Sequence, residues 1–160
     1  MKILAVQSRM GIGDTVIFLP FIKALSKKFN SPISILVKEN SKANQYLHQT
    51  KYIDKILTLE RDNKTNNRHG GFFGIFKLAN DLKKYKFDKI FIFNSSLRFN
   101  LVAKISGIPQ IYQYPLFAKN KQHIIEAPKK FLKENLNLDI NEDPEVQIDN
   151  DSISKAAQKF

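Results

Sequence analysis

Five short apolar or β-branched runs recur along the chain, and they constrain its fold more than any other feature. They are Lys2–Val6, Ile33–Val37, Lys55–Leu59, Lys89–Phe93 and Ile111–Tyr114. A stretch with helical spacing of apolar residues separates each run from the next, so the pattern is a strand and a helix repeated five times. Short apolar strands joined by helices favour a parallel sheet that is covered on both faces. We therefore predict an α/β, Rossmann-like fold.

The helical segments should each present one apolar side to this sheet. The third segment, GFFGIFKLANDLKKYKF, is predicted to bury Phe72, Ile75, Phe76, Ala79 and Leu82. A fifth helix is expected near Gln122–Leu136. The loop Arg61–Gly71 before the third helix is polar and basic, and it is either a plain surface loop or a substrate flap.

Charge divides the chain into two parts. Residues 1–138 carry 24 basic and 9 acidic side chains, a net charge of +15, whereas residues 139–160 carry 2 basic and 6 acidic ones, a net charge of −4. At 160 residues the chain is long enough for one well-buried domain. We predict a Rossmann-like domain over 1–138 and an acidic linker with the start of a further, truncated unit over 139–160.

The net charge of +11 invites a polyanionic partner, such as nucleic acid, an anionic membrane surface or a phosphorylated substrate. However, 22 of the 26 basic residues are lysine, so a solvated lysine-rich surface is an equal alternative. The chain has no cysteine, no secretory leader and no apolar run of the ~20 residues that span a bilayer. These features favour a cytoplasmic protein.

The first turn, QSRMGIGDTV, follows the first strand, where proteins of this fold class commonly bind ligands. Gly11 and Gly13 suggest a phosphate-binding turn, but Val16 stands where a dinucleotide fingerprint needs a third glycine. A P-loop is also excluded, because no Gly-Lys-Ser/Thr closes the turn. Asp14 is either the N-cap of the following helix or a carboxylate that takes a proton from a substrate hydroxyl.

The fourth strand ends in a second polar constellation, FNSSLRFN. Asn94, Ser95 and Ser96 place amide and hydroxyl groups at the carboxyl end of the strand, and Arg98 follows one turn into the next helix. Such side chains suit sugar hydroxyls and a carboxylate or phosphate. The alternative is helix capping by Ser95 or Ser96 beside a solvent-exposed Arg98.

Metal binding has little support in the sequence. Asp149-Asn150-Asp151 matches a D-x-D pattern, but it lies in the acidic tail and is interpreted as a solvated turn. His48, His69 and His123 are too scattered for a metal site. We expect no metal and no cofactor.

Several segments, in this order and spacing, resemble glycosyltransferase family 9, the ADP-heptose:lipopolysaccharide heptosyltransferases. They are MKILAVQSRMGIGDTVIFLPFIKALSKKF, YIDKILTL, YKFDKIFIF, NSSLRFNLVAKISGIP and the QH of NKQHIIEAPKKFL. The resemblance runs from residue 1 to about 148. It implies a GT-B architecture, in which an N-terminal Rossmann-like domain binds the lipopolysaccharide inner-core acceptor and a C-terminal one binds the nucleotide-sugar.

Under this resemblance, 1–138 would be the acceptor-binding domain, and 139–160 would lead into the nucleotide-sugar-binding domain. Asp14 matches the aspartate proposed as catalytic base in an inverting, metal-independent transfer, and Arg98 matches a basic residue proposed to meet the anionic acceptor. Gln7 stands where a basic residue is common, and Arg9 is the expected substitute. The predicted substrate-binding residues are Arg9, Gly11, Gly13, Asn94, Ser95, Ser96 and Arg98.

The resemblance also implies partners. The expected ones are the inner-core acceptor, a nucleotide-sugar donor held by the missing C-terminal domain, and peripheral contact with the anionic inner membrane. Nucleic acid is not expected as a partner. A second hypothesis is a stand-alone Rossmann-like binding module whose basic face meets nucleic acid or an anionic membrane, with Asp14 as a helix cap only.

Overall fold

A computed structural model describes residues 1–9, 11–61, 64–116, 123–146, 154–155 and 157–158. Its centre is a parallel sheet with the strand order β3-β2-β1-β4-β5. The strands are β1 (Ile3–Val6), β2 (Ile33–Lys38), β3 (Ile53–Leu59), β4 (Lys89–Ile92) and β5 (Gln110–Gln113). The predicted α/β, Rossmann-like fold is therefore confirmed, and the five predicted runs are the five strands.

Helices cover both faces of the sheet. They are α1 (Ile12–Phe29), α2 (Ala43–Tyr46), α3 (Phe73–Lys83), α4 (Leu97–Ile105) and α5 (Glu126–Leu136), with a 3-10 turn at Glu39–Ser41. One buried cluster lies under α1 and α5, and the other lies under α3 and α4. The predicted fifth helix is α5, and Gln122, its expected start, lies outside the described residues.

β1 shows why the strands appear in the sequence as continuous apolar runs. Ile3 and Ala5 belong to the cluster under α1 and α5, whereas Leu4 and Val6 belong to the cluster under α3 and α4. Side chains alternate between the two faces of a strand, and here both faces are buried. A strand in the middle of such a sheet has no polar side.

The prediction for α3 is partly wrong. Ile75, Ala79 and Leu82 are buried as expected, but Phe72 is 70% exposed and Phe76 is 45% exposed. The side of α3 that meets the sheet consists of Ile75, Leu78, Ala79 and Leu82, at helical spacing i, i+3, i+4 and i+7. Phe72 is the N-cap at the start of α3, and Phe76 follows Ile75 directly and so lies off this stripe.

The described part of the acidic segment packs against the first unit. Ile140 is buried in the cluster under α1 and α5. Glu142 forms ion pairs with Lys23 at 2.9 Å and with Lys27 at 2.8 Å, and both lysines lie on α1. One role of this segment is thus to neutralise lysines of α1. The domain boundary at residue 138 stays a prediction.

The loop before α3 is anchored at its C-terminal end. Arg68 donates two hydrogen bonds to the Asp81 carboxylate, at 2.9 and 3.1 Å. His69 Nδ1 accepts the Glu60 backbone N–H at 3.0 Å, so its Nε2 carries the proton and donates to Asp81 Oδ2 at 3.0 Å. Arg98 on α4 donates to the backbone oxygens of His69 and Gly71. The loop end is therefore tied to both α3 and α4.

Acid should destabilise the fold through two of these carboxylates. Arg68 holds the pKa of Asp81 well below its ordinary value, and Lys27 and Lys23 lower the pKa of Glu142 to about 2. Because both pKa values are lower in the folded state, the stabilisation is present above the unfolded-state pKa values and is lost as the pH falls through the folded ones. Urea titrations should show the free energy of unfolding falling from about pH 5 to about pH 2, and should show a smaller fall in Asp81→Asn. Identical pH profiles for the two proteins would contradict this.

Candidate functional site

The strand order places one crevice at the point where the topology reverses. The chain proceeds from β1 to β2 and β3 on one side, and then returns to β4 and β5 on the other side of β1. In sheets of this kind, ligands bind outside the carboxyl ends of the strands at this switch point. Ser8 and Arg9 follow β1, and Asn94 and Ser95 follow β4, so both predicted constellations flank the same crevice.

The turn after β1 depends on one glycine. Gly11 is the N-cap of α1 with φ 99° and ψ 162°, a conformation that is essentially restricted to glycine. The Thr15 hydroxyl donates to the Gly11 carbonyl at 3.1 Å and closes the turn. Gly13 differs, because it is helical and, apart from its chain neighbours and its own helix backbone, no atom of the described residues lies within 4 Å of the place where its Cβ would stand. The backbone therefore requires glycine at position 11 and does not require it at position 13.

Asp14 lies in the first turn of α1, and the interpretation of Asp14 as N-cap is wrong, because the N-cap is Gly11. The carboxylate folds back over the turn, with Oδ2 3.9 Å from the ideal Cβ position on Gly11. Within the described part of the chain it accepts no hydrogen bond, and the residue is partly exposed. A negative charge in the first turn is favoured by the helix dipole. The Asp14 carboxylate is thus available to accept a hydrogen bond from a ligand.

Asn94 joins the ends of β1 and β4. Its Nδ2 donates to Ser8 Oγ at 3.1 Å, and its Oδ1 accepts the backbone N–H of Ser96 at 3.0 Å. From β5, Gln113 Nε2 donates to the carbonyls of Asn94 at 3.1 Å and Ser96 at 2.8 Å. Ser96 is the N-cap of α4, but its hydroxyl makes no capping hydrogen bond. The turn after β4 is therefore held by amide side chains.

A cavity of about 230 Å³ opens between these turns and the start of α5. Its polar lining consists of Ser8, Arg9, Asn94, Ser95, Tyr114 and His123. Three of these, Arg9, Asn94 and Ser95, were predicted from the sequence, whereas the other three were not predicted as site residues. Tyr114 follows β5, and its position at the carboxyl end of a predicted strand was the available signal.

Two hydroxyl groups in this cavity lack partners. Tyr114 is only 5% exposed, and neither its hydroxyl nor Ser95 Oγ has a hydrogen-bond partner among the described residues. Leaving a buried polar group unsatisfied costs about 1–3 kcal/mol. Burial raises the pKa of Tyr114 despite the opposing charge of Arg9, so the phenol keeps its proton and can donate it in a hydrogen bond. The cavity therefore offers hydrogen bonds that an oxygen-rich ligand would satisfy.

Arg98 lies outside this cavity lining. Its Nη1 donates to the Gly71 carbonyl at 2.8 Å, and its Nη2 donates to the His69 carbonyl. The structure thus shows a guanidinium that holds the end of the loop before α3. Binding of an anionic acceptor by Arg98, and by Ser96 beside it, stays a prediction.

A larger cavity of about 410 Å³ lies beside Arg68, His69 and Asp81. The polar groups there satisfy one another, as the hydrogen bonds to Asp81 show. Size alone therefore does not make it the better candidate, because its polar side chains are already engaged. The described residues include no group of three or more histidine, cysteine or acidic side chains that could hold a metal, and Asp149-Asn150-Asp151 lies outside them.

Comparison with known proteins gives structural neighbours only. No family model and no curated protein matches the chain. A solved glycosyl transferase family 9 structure from Veillonella parvula is 18% identical, with a TM-score of 0.73, over 98% of this chain and 48% of that one. Escherichia coli ADP-heptose lps heptosyltransferase II is 15% identical, with a TM-score of 0.67, over 100% of this chain and 50% of that one.

A third solved structure, the E. coli heptosyltransferase WaaC with ADP, is 12% identical, with a TM-score of 0.57, over 89% of this chain and 49% of that one. The chain thus spans about half the length of the structures it matches. The resemblance to glycosyltransferase family 9 is confirmed at the level of the fold, which extends over nearly the whole chain.

The two glycines of the first turn should respond differently to the same substitution. Gly11→Ala forces a Cβ into a strained backbone conformation and should lower the free energy of unfolding by about 1–3 kcal/mol. In Gly13→Ala the new Cβ meets no side chain of the described residues, and the change should raise the free energy of unfolding by up to about 1 kcal/mol, because alanine favours the helix. Urea titrations of both variants test this, and equal effects at the two positions would contradict it.

Proposed function

We propose that this chain is the acceptor-binding, N-terminal half of an inverting GT-B glycosyltransferase that transfers heptose from ADP-heptose to the lipopolysaccharide inner core. The observation that carries the proposal is a partly exposed carboxylate, Asp14, that accepts no hydrogen bond within the described residues and lies at the switch point of the sheet. Solved heptosyltransferases share the fold of this chain, which supports the class of reaction.

In the proposed mechanism, Asp14 accepts the proton of an acceptor hydroxyl as a general base. The hydroxyl oxygen then forms a bond to the anomeric carbon of the heptose, and the bond from that carbon to the diphosphate breaks. The nucleoside diphosphate leaves with the bonding electrons toward the donor-binding half. Attack from the face opposite the leaving group inverts the configuration at the anomeric carbon.

The acceptor would lie in the crevice between the turns after β1 and β4. Ser95 and Tyr114 would donate their unsatisfied hydroxyls to acceptor oxygens, and Arg9 would meet an acidic group of the acceptor. Asn94 would fix the shape of the crevice through its hydrogen bond to Ser8. The missing side chain of Gly13 leaves open space next to Asp14, through which an acceptor hydroxyl could approach.

The donor half of the site would come from a second Rossmann-like domain. The similar solved structures are about twice as long as the matched region, and this chain corresponds to about half of each. We therefore expect the 160-residue chain alone to bind acceptor but not to transfer sugar. A stand-alone binding module is not favoured, because the structural neighbours are glycosyltransferases. The proposed enzyme would work on the cytoplasmic side of the inner membrane.

Replacing the proposed base should remove activity without unfolding the protein. In a protein that carries both halves, Asp14→Asn should lower the rate of heptose transfer at least about a hundredfold, because the amide cannot accept the proton. The free energy of unfolding should fall by less than about 1 kcal/mol, since only the favourable charge in the first helical turn is lost. Steady-state transfer assays and thermal unfolding measure the two effects.

Glu134→Gln is the matched control, because Glu134 is an exposed carboxylate on α5. It should leave the transfer rate unchanged. If Asp14→Asn keeps its activity, the assignment of the base is wrong. If Asp14→Asn loses its fold, the role of Asp14 is structural.

A further inference from the structure

Exposed apolar side chains are concentrated on one face of the molecule. Among the described residues, nine large hydrophobic side chains are exposed, and six of them lie on α3 and α4 or at the N-cap of α3. These six are Phe72, Phe73, Phe76, Leu97, Leu101 and Ile105. Because both helices cover the same side of the sheet, we call this surface the α3–α4 face.

The aromatic residues of this face form one cluster. The Phe72 ring lies 5.9 Å from that of Phe73 and 5.6 Å from that of Phe76, both edge to face. Phe72 and Phe73 are 70% and 75% exposed. Single exposed apolar residues are common, but a contiguous exposed patch marks an interaction surface.

The charges of this face are basic and largely unpaired. Lys77 and Lys83 on α3 and Lys104 on α4 are exposed and make no ion pair within the described part of the chain. Asp81, the single acidic residue of the two helices, is already engaged by Arg68, His69 and Lys84. The face therefore combines apolar rings with positive charge.

The opposite face of the sheet is different. On α1, Lys23 and Lys27 are paired with Glu142, and on α5, Lys133 is paired with Asp139 at 2.6 Å. No exposed aromatic cluster is found on the described parts of these helices. The apolar and basic character thus belongs specifically to the α3–α4 face.

We propose that the α3–α4 face docks on the surface of an anionic lipid bilayer. Rings of the Phe72 cluster would enter the boundary between headgroups and acyl chains, while lysines would meet lipid phosphates. A second copy of this chain is less favourable as the partner of this face, because a two-fold interface would bring the same lysines close to one another and their positive charges would repel. In the described residues, no helix is long and apolar enough to cross a membrane, so contact would be limited to the surface.

The position of the cluster links this surface to the candidate site. Phe72 and Phe73 start α3, which leads away from the carboxyl edge of the sheet, and the crevice after β1 and β4 opens at the same edge. Docking would therefore bring the crevice near the membrane surface, within reach of a lipid-linked ligand. The inference does not depend on the transferase activity, because vesicle binding needs neither donor nor acceptor.

Cosedimentation with vesicles tests the proposal on the 160-residue chain. The chain should bind phosphatidylcholine vesicles that contain about a third phosphatidylglycerol, and should bind pure phosphatidylcholine at least about tenfold more weakly. Phe72→Ser/Phe73→Ser should weaken binding about tenfold or more. Lys77→Gln/Lys104→Gln should weaken it about tenfold or more, since each lysine near the surface contributes about fivefold.

Lys28→Gln/Lys130→Gln is the matched control, because it removes the same charge from α1 and α5 and should change binding less than about twofold. The thermal unfolding of the phenylalanine variant should match that of the parent, since both rings are exposed. The proposal is overturned if the control pair weakens binding as much as the Lys77/Lys104 pair. It is also overturned if the phenylalanine variant binds like the parent, or if sedimentation velocity shows a dimer that this variant abolishes.

Discussion

The hydrogen bond between Asn94 and Ser8 joins the carboxyl ends of β1 and β4, and the candidate site depends on it. These two strands are neighbours because the chain, after it adds β2 and β3 on one side of β1, returns to place β4 on the other side. The reversal leaves a crevice that no connecting helix fills, and Gln113 holds its second wall from β5. A side-chain amide can bridge this gap with one short contact, so the two turns keep a fixed separation. The Ser95 and Tyr114 hydroxyls line the cavity beside this bridge, whereas Asp14 lies in the first turn of α1, outside the cavity lining.

The two faces of the sheet differ in how far their lysines are paired with acidic residues. On the α1 and α5 side, acidic residues from the end of the described chain neutralise lysines, and that face resembles an ordinary solvated surface. On the α3 and α4 side, the one carboxylate serves the loop before α3, and the lysines and phenylalanines remain exposed. The net charge of +11 is therefore not spread evenly. On the α3 and α4 side, Lys77, Lys83 and Lys104 make no ion pair within the described residues, and they supply part of this positive charge.

Much of the fold was predictable from the sequence, because strands buried on both faces contain almost no polar residues. The Ile3–Val6 run is one such strand, and its neighbours follow the same rule. The site was predictable in part, since side chains that follow parallel strands must lie at one edge, as Arg9, Asn94 and Ser95 do. The exposure of Phe72 was not predictable, because helical spacing does not show that α3 begins only after this residue, with Phe72 as its N-cap. The backbone conformation of Gly11 and the convergence of Tyr114 and His123 depend on tertiary structure, which spacing along the chain does not specify.

The most direct test is the affinity of this chain for a deacylated inner-core oligosaccharide, measured by titration calorimetry on the parent and on Tyr114→Phe. If the crevice binds the acceptor, removing the buried hydroxyl should weaken binding about tenfold, because one hydrogen bond is lost. The same change should raise the free energy of unfolding by about 1 kcal/mol, since the unliganded protein no longer buries an unsatisfied group. Opposite effects on affinity and stability are the predicted result. Equal affinity of the two proteins, or no binding by the parent, would contradict the assignment of the crevice as the acceptor site.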